Sequence, residues 1–352
     1  MIRIEQILDW FDRAPAVAST PELARRGPVT HVVILDGTMS TLDPGFETNA
    51  GILFNLLQEI RRPARLSLYY EPGLQWQGWK HAGSVAAGRG INRLIRRAYG
   101  FLASRYRPGD RIFLFGYSRG AYAVRSLAGL IDRMGLLRRE EATERAVLLL
   151  YRHYQTNPDA APARRLARRL CHPQVMIEMV GVWDTVKALG WQAPVLSRFT
   201  EVEHRFHDHQ LGRTTRHGYQ ALALHETRVV FAPVLWESRS DWPGHVEQVW
   251  FRGTHGDVGG QLGGRLASRP LSNIALVWML DRAEGCGLPL PPGWHRRFPQ
   301  DASAPMSGRW EGWGKIFLHR RARQVGHDPS ERLHHTVAPE PISPRWSPHA
   351  HR

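Results

Sequence analysis

Five consecutive residues carry the clearest chemistry in this chain of 352 residues: Gly116-Tyr117-Ser118-Arg119-Gly120, a G-x-S-x-G pattern. A serine hydroxyl is a weak nucleophile and needs a base and an orienting acid. The bare pattern also occurs in ordinary Gly-Ser turns, so its setting decides. Here an apolar run, Arg111 to Phe115, leads straight in, and a run rich in small residues from Ala121 leads straight out as a helix. That strand–turn–helix is what a nucleophile elbow requires. Gly116 and Gly120 stand two residues before and after the serine, where a side chain would collide with the neighbouring strand and helix. The N–H of Arg119, at the helix start, faces negative charge developing on a substrate oxygen.

In such an elbow fold the acid and then the histidine follow the serine along the chain, each at the C-terminal end of a strand. Asp184 closes the run VMIEMVGVW, and His255 follows QVWFRG on a glycine-rich loop, Gly253 to Gly260. The chain has 18 histidines, so placement is what singles out His255 from His204, His207, His209, His334 and His335, which read as coil. A metal site from His204, His207 and His209 is the competing use of those residues. No H-E-x-x-H spacing stands near them, and neither metal nor cofactor is expected. Asp257 competes with Asp184 for the role of acid. Two residues from His255, its side chain is expected to point elsewhere and to brace the loop through backbone N–H groups. A second oxyanion donor fits the loop Asp36-Gly37-Thr38 after the run THVVIL: the N–H of Gly37 or Thr38, with Asp36 in support. A plain strand-ending turn is the alternative there.

The elements that must hold these residues alternate between strand and helix. Thr30 to Gly37, Arg65 to Gly73, Arg111 to Gly116 and Val175 to Val186 read as strands, as do Arg228 to Trp236 and Gln248 to Gly253. Helical periodicity marks Ile52, Leu53, Leu56, Leu57 and Ile60, the segment closed by Pro108-Gly109, the run after Gly120, Glu140 to Cys171, and Leu271 to Leu280. Strand–helix alternation predicts a mostly parallel sheet with helices on both faces, and together with the nucleophile elbow this reads as an α/β-hydrolase-like fold. The reading places a helical extension at 1–28, the α/β domain at 29–294, and a Pro/Trp/Arg-rich extension at 295–352, packed on the domain or partly disordered. Gly190 to His209, with Trp191, Phe199 and Phe206, reads as a lid or as a packed connection.

Composition excludes several classes. Hydrophobic residues at 42% and charged residues at 22% belong to a globular chain. Two cysteines, Cys171 and Cys286, exclude a disulfide framework and a cysteine zinc site. No apolar run approaches the ~18 residues of a membrane span. Glu5, Asp9 and Asp12 interrupt the N-terminus where a signal peptide would be apolar, so a cytoplasmic location is expected, with export by another route left open. The net charge is +15, and only three of the 47 basic residues are lysines (Lys80, Lys187, Lys315). Arginines cluster at 61–65, 93–97 and, at helical spacing, at Arg164, Arg165, Arg168 and Arg169. Such clusters are solvated faces or attract phosphate groups, including anionic lipid headgroups. No zinc-finger spacing or aromatic RNA-binding strand accompanies them, so no specific nucleic acid is expected. The oligomeric state is not legible.

Asp36-Gly37-Thr38 with Thr48-Asn49, GDRIFLFGYSRGAYAVRSLAGLI, VGVWDTV and WFRGTHGDVGG, in this order, resemble the domain-of-unknown-function α/β-hydrolases, which include the catalytic domain of type VI secretion lipase effectors. ALALHETRVVFAPVLW and the late LHHTV are similar to family segments too, so the resemblance runs from Thr30 to Val337. It implies a Ser-Asp-His hydrolase with phospholipase A activity among the secreted effectors. By motif position the nucleophile is Ser118, the acid Asp184 and the base His255. The expected activity is hydrolysis of an acyl ester, phospholipids included, with peripheral association with anionic membranes. The alternatives are a binding protein on a hydrolase fold with a dead site, and a binder of phosphate-rich polymers.

Overall fold

The computed structural model describes residues 26–73, 84–186, 210–307 and 319–337, with the side chains of 84–89 left aside. The strands are β1 (Thr30–Leu35), β2 (Leu66–Glu71), β3 (Arg111–Tyr117), β4 (Ile177–Trp183), β5 (Thr215–Ala223), β6 (His245–Phe251) and β7 (Glu331–Leu333). They form one sheet in the order β2-β1-β3-β4-β5-β6-β7, and every neighbouring pair is parallel. Parallel strands bury both faces, which explains why β1 and β3 read as continuous apolar runs. Successive residues point to opposite sides. Val33, Leu35, Ile112 and Leu114 pack under α2 (Ser84–Ala103), α3 (Arg119–Met134) and α4 (Glu144–Thr156). Val32, Ile34, Phe113 and Phe115 pack under α1 (Asn49–Glu59) and a helix near the C-terminus, Arg269–Gly285.

The expected α/β architecture, a parallel sheet covered on both faces, is thus what the chain adopts. The stretch Glu140 to Cys171 divides into α4 and α5 (Ala161–Leu170). On α5 only Ala163 is buried, and Arg164, Arg165, Arg168 and Arg169 are exposed along it. The short helix α6 (His255–Gly259) follows β6, and the Arg269–Gly285 helix is α7. Among the described residues no helix is long and apolar enough to cross a membrane.

Two strand readings need correction. Arg228 to Trp236 is a 3-10 turn, Val229–Phe231, followed by irregular backbone. Pro233 has no N–H for a ladder, and glutamines of the true strands serve this backbone instead. Gln220 Nε2 donates to the Val234 carbonyl at 3.0 Å, while Gln248 Oε1 accepts from the Trp236 N–H at 2.7 Å. The strand missed by periodicity is β5, whose polar His217 and Gln220 hid it. The sheet takes β7 from beyond Trp294, in the segment read as an extension. The segment 1–25, the whole lid candidate Gly190 to His209, and with it His204, His207 and His209, lie outside the described residues.

Candidate active site

Ser118 sits between the end of β3 and the first residue of α3 with φ 56° and ψ −120°. A positive φ is a strained backbone for a serine, which the surrounding contacts must hold in place. The flanking glycines permit the turn. A Cβ on Gly116 would stand 2.7 Å from the backbone of Ala121, and one on Gly120 would stand 2.1 Å from the Leu35 carbonyl oxygen. Because β1 pairs directly with β3, the loop after β1 lies beside this turn.

The three residues picked out along the chain meet here. His255 Nε2 lies 2.9 Å from Ser118 Oγ, and His255 Nδ1 lies 2.5 Å from Asp184 Oδ2. Each lies at or just past the end of its strand: Ser118 directly after β3, Asp184 directly after β4, and His255 four residues beyond β6. Parallel strands of one sheet end at the same edge, which is why residues so far apart in sequence converge. Ser118, Asp184 and His255 are all buried.

Asp184 is itself strained, at φ 42°, and its carboxylate is fully engaged. Oδ1 accepts from the Ala223 N–H at 3.0 Å and from Arg323 Nη1 at 2.6 Å, and Oδ2 also accepts from Arg323 Nη2 at 2.9 Å. Burial works to raise the pKa of this carboxyl, but the Arg323 guanidinium and the His255 ring outweigh it and hold the group well below the usual carboxylate range. The imidazole stacks on Phe231 with centroids 4.7 Å apart and lies against Tyr117 at 4.9 Å. Its backbone N–H donates to Glu226 Oε2 at 3.2 Å, and Arg228 in turn binds Glu226.

Asp257 is turned away from the ring. Its Oδ2 accepts from the Thr254 N–H and hydroxyl at 2.8 Å, forming the capping box of α6, and its Oδ1 accepts from the Ser307 N–H at 2.8 Å. On the loop after β1, the Asp36 carboxylate accepts from the Gly37 N–H at 2.7 Å, the Thr48 hydroxyl at 2.7 Å and the Tyr70 hydroxyl at 2.8 Å. Burial nevertheless pushes the Asp36 carboxyl up from its ordinary value. The Gly37 N–H is therefore taken, which corrects its reading as an oxyanion donor. The backbone N–H groups of Thr38 and Arg119 have no acceptor among the described residues. Gln261 ties this loop to the elbow, donating to the Thr38 carbonyl at 2.9 Å and accepting from the Tyr117 hydroxyl at 3.4 Å. Chemically, the arrangement offers a hydroxyl against an imidazole, a carboxylate behind the imidazole and, among the described residues, N–H donors without an acceptor at the start of α3 and on the loop after β1.

Sequence reasoning passed over Arg323, Glu226 and Phe231. Arg323 lies in the run HRRARQ, one arginine among many, and nothing in its spacing sets it apart.

Comparisons with known proteins complete the description. A Saccharomyces cerevisiae protein, "Uncharacterized protein YEL023C", is 30% identical over 204 residues, which is 50% of this chain and 30% of the yeast protein. A solved structure titled "Crystal structure of an uncharacterized protein from Pseudomonas aeruginosa" aligns at TM-score 0.48 and 17% identity, over 78% of this chain and 49% of that one. The "Structure of the Tle1 effector bound to the VgrG spike from the Type 6 secretion system" aligns at TM-score 0.34 and 18% identity, over 67% of this chain and 51% of the other. The chain thus spans less than a third of the yeast relative and about half of each solved chain. A family model described as "T6SS, Phospholipase effector Tle1-like, catalytic domain" matches residues 30–282, well over half of the sequence. The chain belongs to this family of Tle1-like phospholipase catalytic domains.

Proposed function

We propose that the protein is a serine hydrolase that cleaves an acyl ester of a phospholipid, with Ser118 as nucleophile, His255 as base and Asp184 as acid. The observation that carries this reading is the continuous contact from Ser118 Oγ through the His255 ring to Asp184, at 2.9 and 2.5 Å. Membership in a phospholipase family supports the choice of substrate class.

In this mechanism His255 Nε2 takes the Ser118 proton as Oγ attacks the ester carbonyl carbon. The imidazolium is stabilised by the Asp184 carboxylate, which also fixes the tautomer with the proton on Nδ1. Negative charge on the carbonyl oxygen of the tetrahedral intermediate meets the N–H groups of Arg119 and Thr38 and the start of α3. Collapse expels the alcohol, which leaves with the proton from Nε2. Water, activated by the same imidazole, then cleaves the acyl-enzyme and regenerates the serine. No metal or cofactor is required by these steps.

The decisive experiment is labelling with a fluorophosphonate, which reacts with activated serines, followed by phospholipid turnover. Wild-type protein is expected to be labelled at Ser118 and to release fatty acid from phospholipid vesicles, and Ser118→Ala to do neither. Turnover without labelling would overturn the serine mechanism. Absence of both would favour a binding protein on a hydrolase fold.

A further inference from the structure

We propose that Arg323 is the positioning residue of this site, holding both the acid on the edge of the imidazole and the aromatic ring on its face. The inference rests on the triad reading above and assigns a role to a segment beyond residue 282, where the family match stops.

One guanidinium makes four contacts. Nη1 donates to Asp184 Oδ1 and to the Ala223 carbonyl at 2.8 Å; Nη2 donates to Asp184 Oδ2 and to the Phe231 carbonyl. The first pair fixes the carboxylate in two dimensions against the end of β5, as a fork grips a plane. The last contact anchors the 3-10 turn whose ring stacks on His255. Arg323 therefore constrains two of the partners that orient the imidazole, and it does so from buried space, its side chain 4% exposed. Asp184, with its strained backbone, is a residue whose geometry must be imposed from outside.

Charge gives the arrangement a second consequence. Around His255 are Asp184 beyond β4, Glu226 and its partner Arg228 beyond β5, Arg323 from the C-terminal segment, the Tyr117 ring from the end of β3, and the Ser118 hydroxyl just after it. Asp257, on α6 itself, faces away. The two carboxylates are each bound by a guanidinium, so a protonated His255 meets a balanced surround instead of a bare carboxylate. Neutralising Arg323 removes a positive charge two bonds of hydrogen from the ring. The imidazolium is then favoured, and the acid limb of reactivity moves to higher pH.

The test measures the rate at which a fluorophosphonate labels Ser118 across pH, in the full chain carrying Arg323→Met or Arg323→Lys. Thermal melts check that each variant is folded. The expected result for Arg323→Met is labelling slowed roughly 10- to 100-fold, as for other groups that orient a reacting ligand, with the acid limb raised by about one pH unit. Arg323→Lys keeps the charge and loses the fork, so its labelling is slow while its limb stays with the wild type. A folded Arg323→Met that labels at the wild-type rate, or one slowed with its limb unmoved, overturns the proposal. Should that variant not fold, Arg323→Lys labelling at the wild-type rate overturns it too. If the wild type itself is not labelled, the hydrolase reading has failed; titration of the His255 ring by NMR then still decides, because an unmoved midpoint in Arg323→Met refutes the role given to Arg323.

Discussion

Gly120 and Leu35 approach so closely that a Cβ on the glycine would lie 2.1 Å from the Leu35 carbonyl oxygen. The neighbour is backbone of a central strand, not the end of a flexible side chain, so it has no room to yield. Gly120→Ala is therefore expected to push α3 away from β1, at a cost on the order of 1–3 kcal/mol or more. Because Ser118 starts that helix, activity falls further than stability. Melting temperature and turnover measured together check this, and a variant with wild-type values of both would show that the elbow tolerates a side chain.

Ser118→Ala and Asp184→Asn are expected to differ in size as well as in site. Loss of the nucleophile costs on the order of 10⁶-fold in kcat. An amide at Asp184 leaves the shape but fixes the wrong tautomer, costing about 10⁴-fold. Steady-state kinetics on a short-chain nitrophenyl ester, with folding checked by circular dichroism, measures both. Near-wild-type turnover in either variant removes that residue from the mechanism.

Asp257→Ala discriminates between the two acids near His255. It deletes the capping box of α6 and the bond to the Ser307 N–H. The expected cost is about 1 kcal/mol of stability, typical of a lost cap, and a loss of activity far below that of Asp184→Asn. A loss of about 10⁴-fold would instead make Asp257 the acid.

The pH dependence follows from Asp184. Its carboxyl is buried, but Arg323 and His255 hold it below its unfolded value. A depressed group contributes stability that is fully present above the unfolded value of about 4 and is lost only as pH falls toward the folded one. Read as the acid of the proposed triad, Asp184 is thus ionised throughout the range above about pH 4, and no loss of activity above that pH is expected from its protonation. A pH–rate profile with a one-proton acid limb, on protein still folded at the limb's midpoint, is the expected result. A limb that coincides with unfolding would contradict it.

The basic surface makes a prediction about lipid. With net charge +15 and the arginines of α5 exposed, the protein is expected to sediment with anionic vesicles at low salt and to be released at high salt. Each arginine near such a surface contributes about 1 kcal/mol, screened within a Debye length. Equal, negligible binding to neutral and anionic vesicles at low salt would show that the charge is spread too evenly to act.

What the sequence determined by itself was local and patterned. The apolar runs ending at Leu35, Tyr117, Trp183 and Phe251 made the parallel strands legible, because strands buried on both faces carry no polar alternation. The glycines around Ser118 were legible because each answers a steric demand set by its immediate neighbours. Asp184 and His255 were legible as strand-end residues in the right chain order. Other features depended on the tertiary structure. β5 was hidden because His217 and Gln220 are polar, Gln220 being held by the distant Arg125 and Val234, and Arg228 to Trp236 was misread because its apolar residues run on without joining a ladder, Val234 and Trp236 buried but Val229 exposed. The Gly37 N–H looked open until Asp36 folded back on it. Arg323 had no local signal at all: its partners Phe231, Ala223 and Asp184 are 92, 100 and 139 residues away, and only the return of the chain past β6 brings a guanidinium to a carboxylate whose charged form burial disfavours.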